Sequence, residues 1–351
     1  MLKFALVGCG RIAKRHSELL GFNKIKNAKL VAVCDIIEKK AKAIGQQFNI
    51  PYYTDMDNMM LLEDIDVVSV LTESGNHAQN VINLAKYGKH IIVEKPMALT
   101  LDDADRMIVA CMESGSKLFI VKQNRFNVPV LKLKEALDTH RFGKLVLGTV
   151  RVRWCRTQEY YDQAPWRGTW AQDGGVLANQ ASHHVDLLEW MMGDIESVFA
   201  KSITALVNIE AEDTAVVTLK FKNGALGIIE ATTAARPKDL EGSISILGEK
   251  GMVEIGGFAV NKMIHWNFQK EIEGDTDVLG KYSVNPPNVY GFGHQAYYEN
   301  VVDCLFNNST QFVDGLEGRR SLELISAIYE SIETGKEVFL RFHPNKCKLG
   351  L

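Results

Sequence analysis

Cysteine and proline are scarce in this chain, six and eight of 351 residues. No two cysteines form a CxxC pair, and none joins histidine at zinc-ligand spacing. That excludes the usual sequence marks of a structural zinc site or a dithiol redox centre, and no metal is expected. Neither sign of charge dominates, since 40 Lys and Arg stand against 43 Asp and Glu for a net charge of −3. The clustered basic surface of a nucleic-acid binder is missing, so no nucleic-acid partner is expected. No apolar run approaches the ~18 residues of a membrane span, so no membrane partner is expected either. The first strand-like run starts at residue 2 or 3 and leaves no room for a signal peptide, which predicts a reduced, soluble, cytoplasmic protein.

What is present is a length beyond one ordinary hydrophobic core, so two domains are expected. Short apolar runs alternate with helical stretches through residue 122: Lys3 to Val7, Leu30 to Cys34, Val67 to Leu71, His90 to Val93 and Leu118 to Val121. Solidly apolar strands separated by helices predict a parallel sheet covered on both faces. After residue 123 the rhythm changes to consecutive strands joined by turns such as Lys222-Asn223-Gly224. The expected fold is α/β: a Rossmann dinucleotide-binding domain at 1–122, then an α+β substrate and oligomerisation domain at 123–351 with a large, mainly antiparallel open sheet.

Gly8-Cys9-Gly10-Arg11-Ile12-Ala13 follows the first strand and opens the first helix. This GxGxxA pattern suits a dinucleotide pyrophosphate. One Gly makes the turn, the next admits the phosphates, and Ala13 allows close helix–strand packing. The helix N-terminus, with Arg11 and Ile12, offers N–H groups to the anion. Asp35, at the end of the second strand and roughly twenty residues on, fits the ribose hydroxyls and would repel a 2′-phosphate. NAD is therefore expected over NADP.

Two further segments carry chemistry. Glu94-Lys95-Pro96 ends the fourth strand, where ligands of open parallel sheets bind. Residues Gly174 to Asp186, with His183 and a preceding Gly174-Gly175, read as the start of an amphipathic helix. Asn179 and His183, at i and i+4, would share one face of any helix through both.

Together these motifs resemble the glucose–fructose oxidoreductase, inositol dehydrogenase and rhizopine-catabolism (Gfo/Idh/MocA) family. The chain departs by carrying Asn179 and Ala181 where the family usually has Asp and Gly. The resemblance implies NAD-dependent oxidation of a sugar hydroxyl, with Lys95 and His183 as the catalytic pair and Asn179 beside them. It also places Thr72, Asn76 and His77 in a nicotinamide-side loop, with Glu94, Lys95 and Gln123 near the cofactor.

Segments 121–125, 165–168, 179–183 and 289–294 look like one bacterial branch, the WlbA/WbpB-type dehydrogenases. That branch oxidises the 3-hydroxyl of UDP-N-acetylglucosaminuronate for surface polysaccharide such as the lipopolysaccharide O antigen. A PLP aminotransferase takes the ketone product onward, and the enzymes are typically homotetramers. For such a substrate Lys122, Arg156 and Arg167 are candidate anion donors, while Tyr160, Tyr161 and Trp166 could wall the sugar and uracil. His294 is a further candidate for the substrate pocket. Alternatives remain: a free sugar, inositol or amino sugar as substrate, 2-oxoglutarate as a second substrate, or a catalytically silent NAD-binding sensor.

Overall fold

The structure, a computed structural model, describes residues 1–283, 292–309, 313–340 and 347–350. Val289, Tyr290 and Gly291, part of one segment that carried the resemblance, lie outside the described residues. Among the described residues no helix is long and apolar enough to cross a membrane.

The chain divides into two compact units, the first made of residues 1–122 and 294–320. It runs β1 (Leu2–Val7), α1 (Ala13–Gly21), β2 (Ala28–Cys34), α2 (Glu38–Phe48), β3 (Tyr52–Tyr53), α3 (Met56–Leu62), β4 (Val67–Val70), α4 (His77–Ala85), β5 (His90–Val93), α5 (Leu101–Glu113) and β6 (Leu118–Ile120). The strands pair in parallel in the order β3-β2-β1-β4-β5-β6. Every residue of β4 is buried, as expected of a strand covered on both faces. Burying each such Val or Ile side chain contributes about 1.5–3 kcal/mol. The strand order reverses direction at β1 and β4, the switch point where such sheets bind ligands. The sequence reading missed β3 and α3, because two tyrosines and seven residues are too short to show a period.

The second unit comprises residues 123–293 and 321–351. A short 3₁₀ turn at Gln123–Phe126 leads into α6 (Val128–Asp138), β7 (Leu145–Arg153), α7 (Gln158–Tyr161), α8 (Ser182–Met192), β8 (Ile195–Ile203), β9 (Thr214–Phe221), β10 (Leu226–Thr232), β11 (Glu241–Gly248), β12 (Gly251–Gly256), β13 (Lys262–Phe268) and α9 (Val278–Lys281). α10 (Gly293–Asn307), α11 (Gly315–Thr334) and β14 (Val338–Phe339) complete the described chain. The sheet order is β13-β12-β11-β7-β10-β9-β8-β14, with only β7 and β10 parallel among its pairs. Buried and exposed residues alternate along β9, so this sheet covers one face. α8 packs on β7 and β11.

The expected fold class stands, but a split at 122/123 alone does not describe the first unit. Residues 294–320 return to it, with Asp314 bridging to Phe119 beside β6. Gly315 and Gly318 let this return segment approach Ile108, Leu118 and Ile120 closely. Nothing in the local pattern of α10 announces which unit it joins.

Candidate active site

On the first unit, Gly8 has φ +96°, and a Cβ there would sit 2.7 Å from the Leu71 carbonyl carbon. No other residue type fits that turn without displacing backbone. Space over Gly10 is open, and α1 begins at a buried Ala13 with no side chain capping its N-terminus. Uncapped N–H groups beside an open backbone approach fit a dinucleotide pyrophosphate. Asp35 Oδ2 accepts from the Cys9 backbone N–H at 2.7 Å, and Oδ1 from that of Ile37 at 2.8 Å. The carboxylate that would read the ribose therefore also shapes the glycine turn.

The loop after β4 is tied to the Glu-Lys-Pro segment. His77 is buried, with Nδ1 2.7 Å from the Pro96 carbonyl oxygen and Nε2 3.1 Å from that of Thr72. Burial lowers its pKa and outweighs the two carbonyl contacts, which favour the charged ring. Both nitrogens meet backbone carbonyls rather than facing outward, and a neutral ring donates to one of them. Thr72 Oγ1 accepts from Asn80 at 3.0 Å, and Asn76 donates to Glu73 at 3.3 Å.

Lys95 is half-buried, and its backbone N–H donates to Glu94 Oε2 at 2.9 Å. The Glu94 carboxyl turns inward and is 6% exposed. Its Oε1 lies 3.0 Å from His16 Nε2 and 3.7 Å from His294 Nε2. Burial alone would raise the Glu94 carboxyl, but the two rings outweigh it and hold it well below the usual range. His294, expected in a substrate pocket, packs inside the first unit. It is fully buried in the first unit, its ring edge-on to His16 at 5.3 Å, and burial lowers its pKa. Its position at the start of the return helix α10 accounts for this. Lys122, at the end of β6, is buried.

On the second unit, His183 lies in the first turn of α8 and is 7% exposed. Asn179 does not share its helix, which begins only at Ser182. The chain before it runs through turns, with Asn179 N–H bonded to the Gly175 carbonyl and Ala181 N–H to that of Val176. The Asn179 amide donates to Asp173, whose other oxygen accepts from the Gly168 N–H at 2.9 Å. The helical-face argument thus fails, because Gly174 at φ +77° and the turn behind it delay the helix.

His183 Nε2 faces Gln123 Nε2 at 2.9 Å. The 3₁₀ turn carrying Gln123 is fixed on α8 by Arg125, whose Nε and Nη2 donate to Asp186 at 2.9 and 2.7 Å in a buried bidentate pair. Gln123 Oε1 is buried with no partner among the described residues, a vacancy that a ligand donor would complete. Beneath the turn, Glu212 Oε1 accepts from the Leu177 N–H at 2.9 Å and the Tyr329 hydroxyl at 3.0 Å. Burial pushes the Glu212 carboxyl up to about 7. A Cβ on Gly175 would lie 2.1 Å from Glu212 Oε2, so only glycine lets the turn rest on this acid.

A cavity of about 460 Å³ opens in the second unit among Gln158, Tyr161, Arg167, Asn208, Ile209 and Glu210. Arg167 lies over the rings of Tyr160 and Trp166 and donates to the Tyr160 hydroxyl at 2.6 Å. Tyr161 is a buried wall whose hydroxyl meets Thr233 at 3.1 Å. Arg156 pairs with Asp239 at 2.9 Å and stacks on Trp154 and Tyr160. Of the two arginines expected to hold an anion, Arg167 lines the cavity and Arg156 is committed to a carboxylate. The sequence reading missed His16, Tyr298, Asp173, Glu212 and the Asn208 to Glu210 wall. None of these residues stands out within its own stretch of sequence.

Residues 2–122 match the model of the oxidoreductase family's NAD-binding Rossmann fold, and residues 134–340 that of its C-terminal alpha/beta domain, both of the Gfo/Idh/MocA type. The WlbA dehydrogenase of Bordetella pertussis, solved with NADH and UDP-GlcNAcA, is 41% identical with a TM-score of 0.89, covering 97% of this chain and 99% of that one. Its counterpart from Chromobacterium violaceum, with the same two molecules, is 43% identical with a TM-score of 0.92, covering 98% and 97%. The myo-inositol 2-dehydrogenase of Thermotoga maritima is 31% identical over 260 residues, 72% of this chain and 74% of that protein.

Proposed function

The chain belongs to the Gfo/Idh/MocA oxidoreductase family and is an NAD-dependent sugar dehydrogenase, and on that premise we propose that it oxidises the 3-hydroxyl of UDP-N-acetylglucosaminuronate to the ketone. The observation that carries this reading is the 41% and 43% identity, over nearly the whole chain, to two enzymes solved with NADH and UDP-GlcNAcA.

The residues suit the task. His183 takes the proton of the reacting hydroxyl, a role matched to an imidazole near neutral pH. Lys95 orients that hydroxyl and offsets the negative charge that develops on its oxygen. Asn179, held by Asp173, supplies an amide to the sugar. Arg167, within cation–π distance of two aromatic rings, carries the planar fork suited to a carboxylate or diphosphate. The Gly8 to Ala13 turn and Asp35 would hold NAD, which would supply the hydride acceptor.

The same reading makes the protein a cytoplasmic homotetramer serving surface polysaccharide synthesis, with a PLP aminotransferase consuming the ketone. Apolar side chains exposed on the open sheet, Val216, Leu226 and Ile228 among them, favour association. A second reading, oxidation of a free cyclic polyol, is favoured by the 31% match to myo-inositol 2-dehydrogenase. Incubation with NAD and either UDP-N-acetylglucosaminuronate or myo-inositol, with mass spectrometry of the product, separates the two. Adding 2-oxoglutarate tests whether NADH is reoxidised in place. Loss of two mass units from the UDP-sugar alone is expected, and turnover of inositol alone would overturn the proposal.

A further inference from the structure

A buried line of polar groups crosses the interior of the first unit and ends at the backbone of Lys95. Ser69 Oγ on β4 lies 3.1 Å from the Tyr298 hydroxyl on α10. That hydroxyl lies 2.6 Å from His16 Nδ1 on α1, and His16 Nε2 lies 3.0 Å from Glu94 Oε1. Glu94 Oε2 accepts the Lys95 N–H at 2.9 Å. Ser69, His16 and Tyr298 are fully buried.

With a neutral imidazole the protons fall into one consistent order. An ionised carboxylate only accepts, so His16 Nε2 carries the ring proton and Nδ1 accepts from Tyr298. Ser69 then donates to the Tyr298 oxygen. Each buried group is satisfied, and α1, β4, α10 and the end of β5 are joined at one carboxylate. A buried carboxylate that accepts from donors on both sides is held in one place by them.

We infer that His16, through Glu94, is a positioning residue for Lys95, fixing the backbone from which that side chain acts. The inference rests on the reading of Lys95 as a catalytic residue. His16 stands on the same helix whose N-terminus fits the cofactor pyrophosphate, so one element sets both the dinucleotide and the lysine.

The test compares the full-length wild type with His16→Leu, His16→Gln and Tyr298→Phe. Gln can place its amide nitrogen where Nε2 stood, and Tyr298→Phe removes one hydroxyl without opening a cavity. The readouts are the Lys95 amide resonance in ¹H–¹⁵N spectra, NAD affinity, and single-turnover reduction of NAD with UDP-N-acetylglucosaminuronate. Losing an outer partner of a metal-bound histidine costs about 10–100-fold, and a loss of that order is expected here. His16→Leu should therefore slow the single turnover by that order and shift the Lys95 amide, with NAD affinity changed less than about twofold. His16→Gln should recover most of the rate, and Tyr298→Phe should fall between it and His16→Leu. A merely structural role would lower thermal stability while leaving the rate per folded enzyme and the amide unmoved, and that result overturns the inference. If His16→Leu does not fold, Tyr298→Phe decides on the same readouts. Should Lys95→Met keep the wild-type rate, or the UDP-sugar not react, the functional reading fails, and the Lys95 amide shift still decides the network.

Discussion

The Gln123 amide nitrogen lies 2.9 Å from His183 Nε2. An amide N–H donates, so in this arrangement Nε2 accepts from Gln123, and that bond must give way when His183 takes the substrate proton. The imidazole is thus held in one orientation by a turn that the Arg125–Asp186 pair clamps to the same helix. Gln123→Leu keeps the bulk and removes the donor. We expect kcat to fall by about 10–100-fold, the usual cost of losing a partner that orients a site histidine. The NAD dissociation constant should change by less than about threefold, as measured by quenching of protein fluorescence. A rise in that constant with kcat unchanged would assign Gln123 to the cofactor instead of to His183.

Asp35, proposed to read the ribose, also shapes the glycine turn, because its Oδ2 accepts the Cys9 N–H. The wild type should bind NAD more tightly than NADP. Asp35→Asn, which keeps the shape and removes the charge, should narrow that preference, and Asp35→Ala should narrow it while also weakening NAD. Titration of both dinucleotides into each variant measures this. Tighter binding of NADP by the unaltered protein would overturn the assignment.

Glu212 gives a stability test independent of any substrate. Its carboxyl titrates near 7 when folded because of burial, against an ordinary value of 4.5. Between those values the folded chain holds one more proton than the unfolded chain. The contribution of this group to stability is therefore full below about pH 4.5, falls as pH rises toward about 7, and is flat above. The difference amounts to a few kcal/mol, at ~1.4 kcal/mol per pH unit. Glu212→Gln keeps an acceptor for Leu177 and Tyr329 and removes the titration. Urea unfolding at pH 5 and pH 8 should show the variant gaining on the wild type at the higher pH. An equal difference at both values would mean the acid is not suppressed in the fold.

The first unit was legible because its signals are local. Apolar strands, a glycine turn and Asp35 lie within short stretches, and each meaning is fixed by its neighbours. His183 and Lys95 were proposed from motifs, but the residues around them were not legible. His16 is a lone histidine on the inner face of a helix, and its partner Tyr298 comes from the far end of the chain. Glu212 acts on Gly175 across a turn that no periodicity reveals. The shared helical face of Asn179 and His183 was a fair inference from spacing. It failed at Gly174, where a positive φ sends the backbone into a turn before the helix starts. Long-range returns and turn geometry are tertiary facts, and sequence spacing does not encode them.

The proposed joint action of Lys95 and His183 is tested by non-additivity. If both act on the same hydroxyl proton, losing either removes a step worth about 10²–10⁴-fold. Lys95→Ala and His183→Ala should each lower kcat by that order in single-turnover reduction of NAD followed by absorbance. NAD affinity should hardly change, since the glycine turn and Asp35 lie elsewhere on the first unit. Residues that serve one step are not additive, so the double variant should be little worse than the poorer single. A double variant whose loss equals the product of the singles would mean separate steps. Near-normal rates in His183→Ala with an inactive Lys95→Ala would make the lysine the base. Near-normal rates in both would remove the pair from catalysis while leaving the family assignment, which rests on the whole chain, intact.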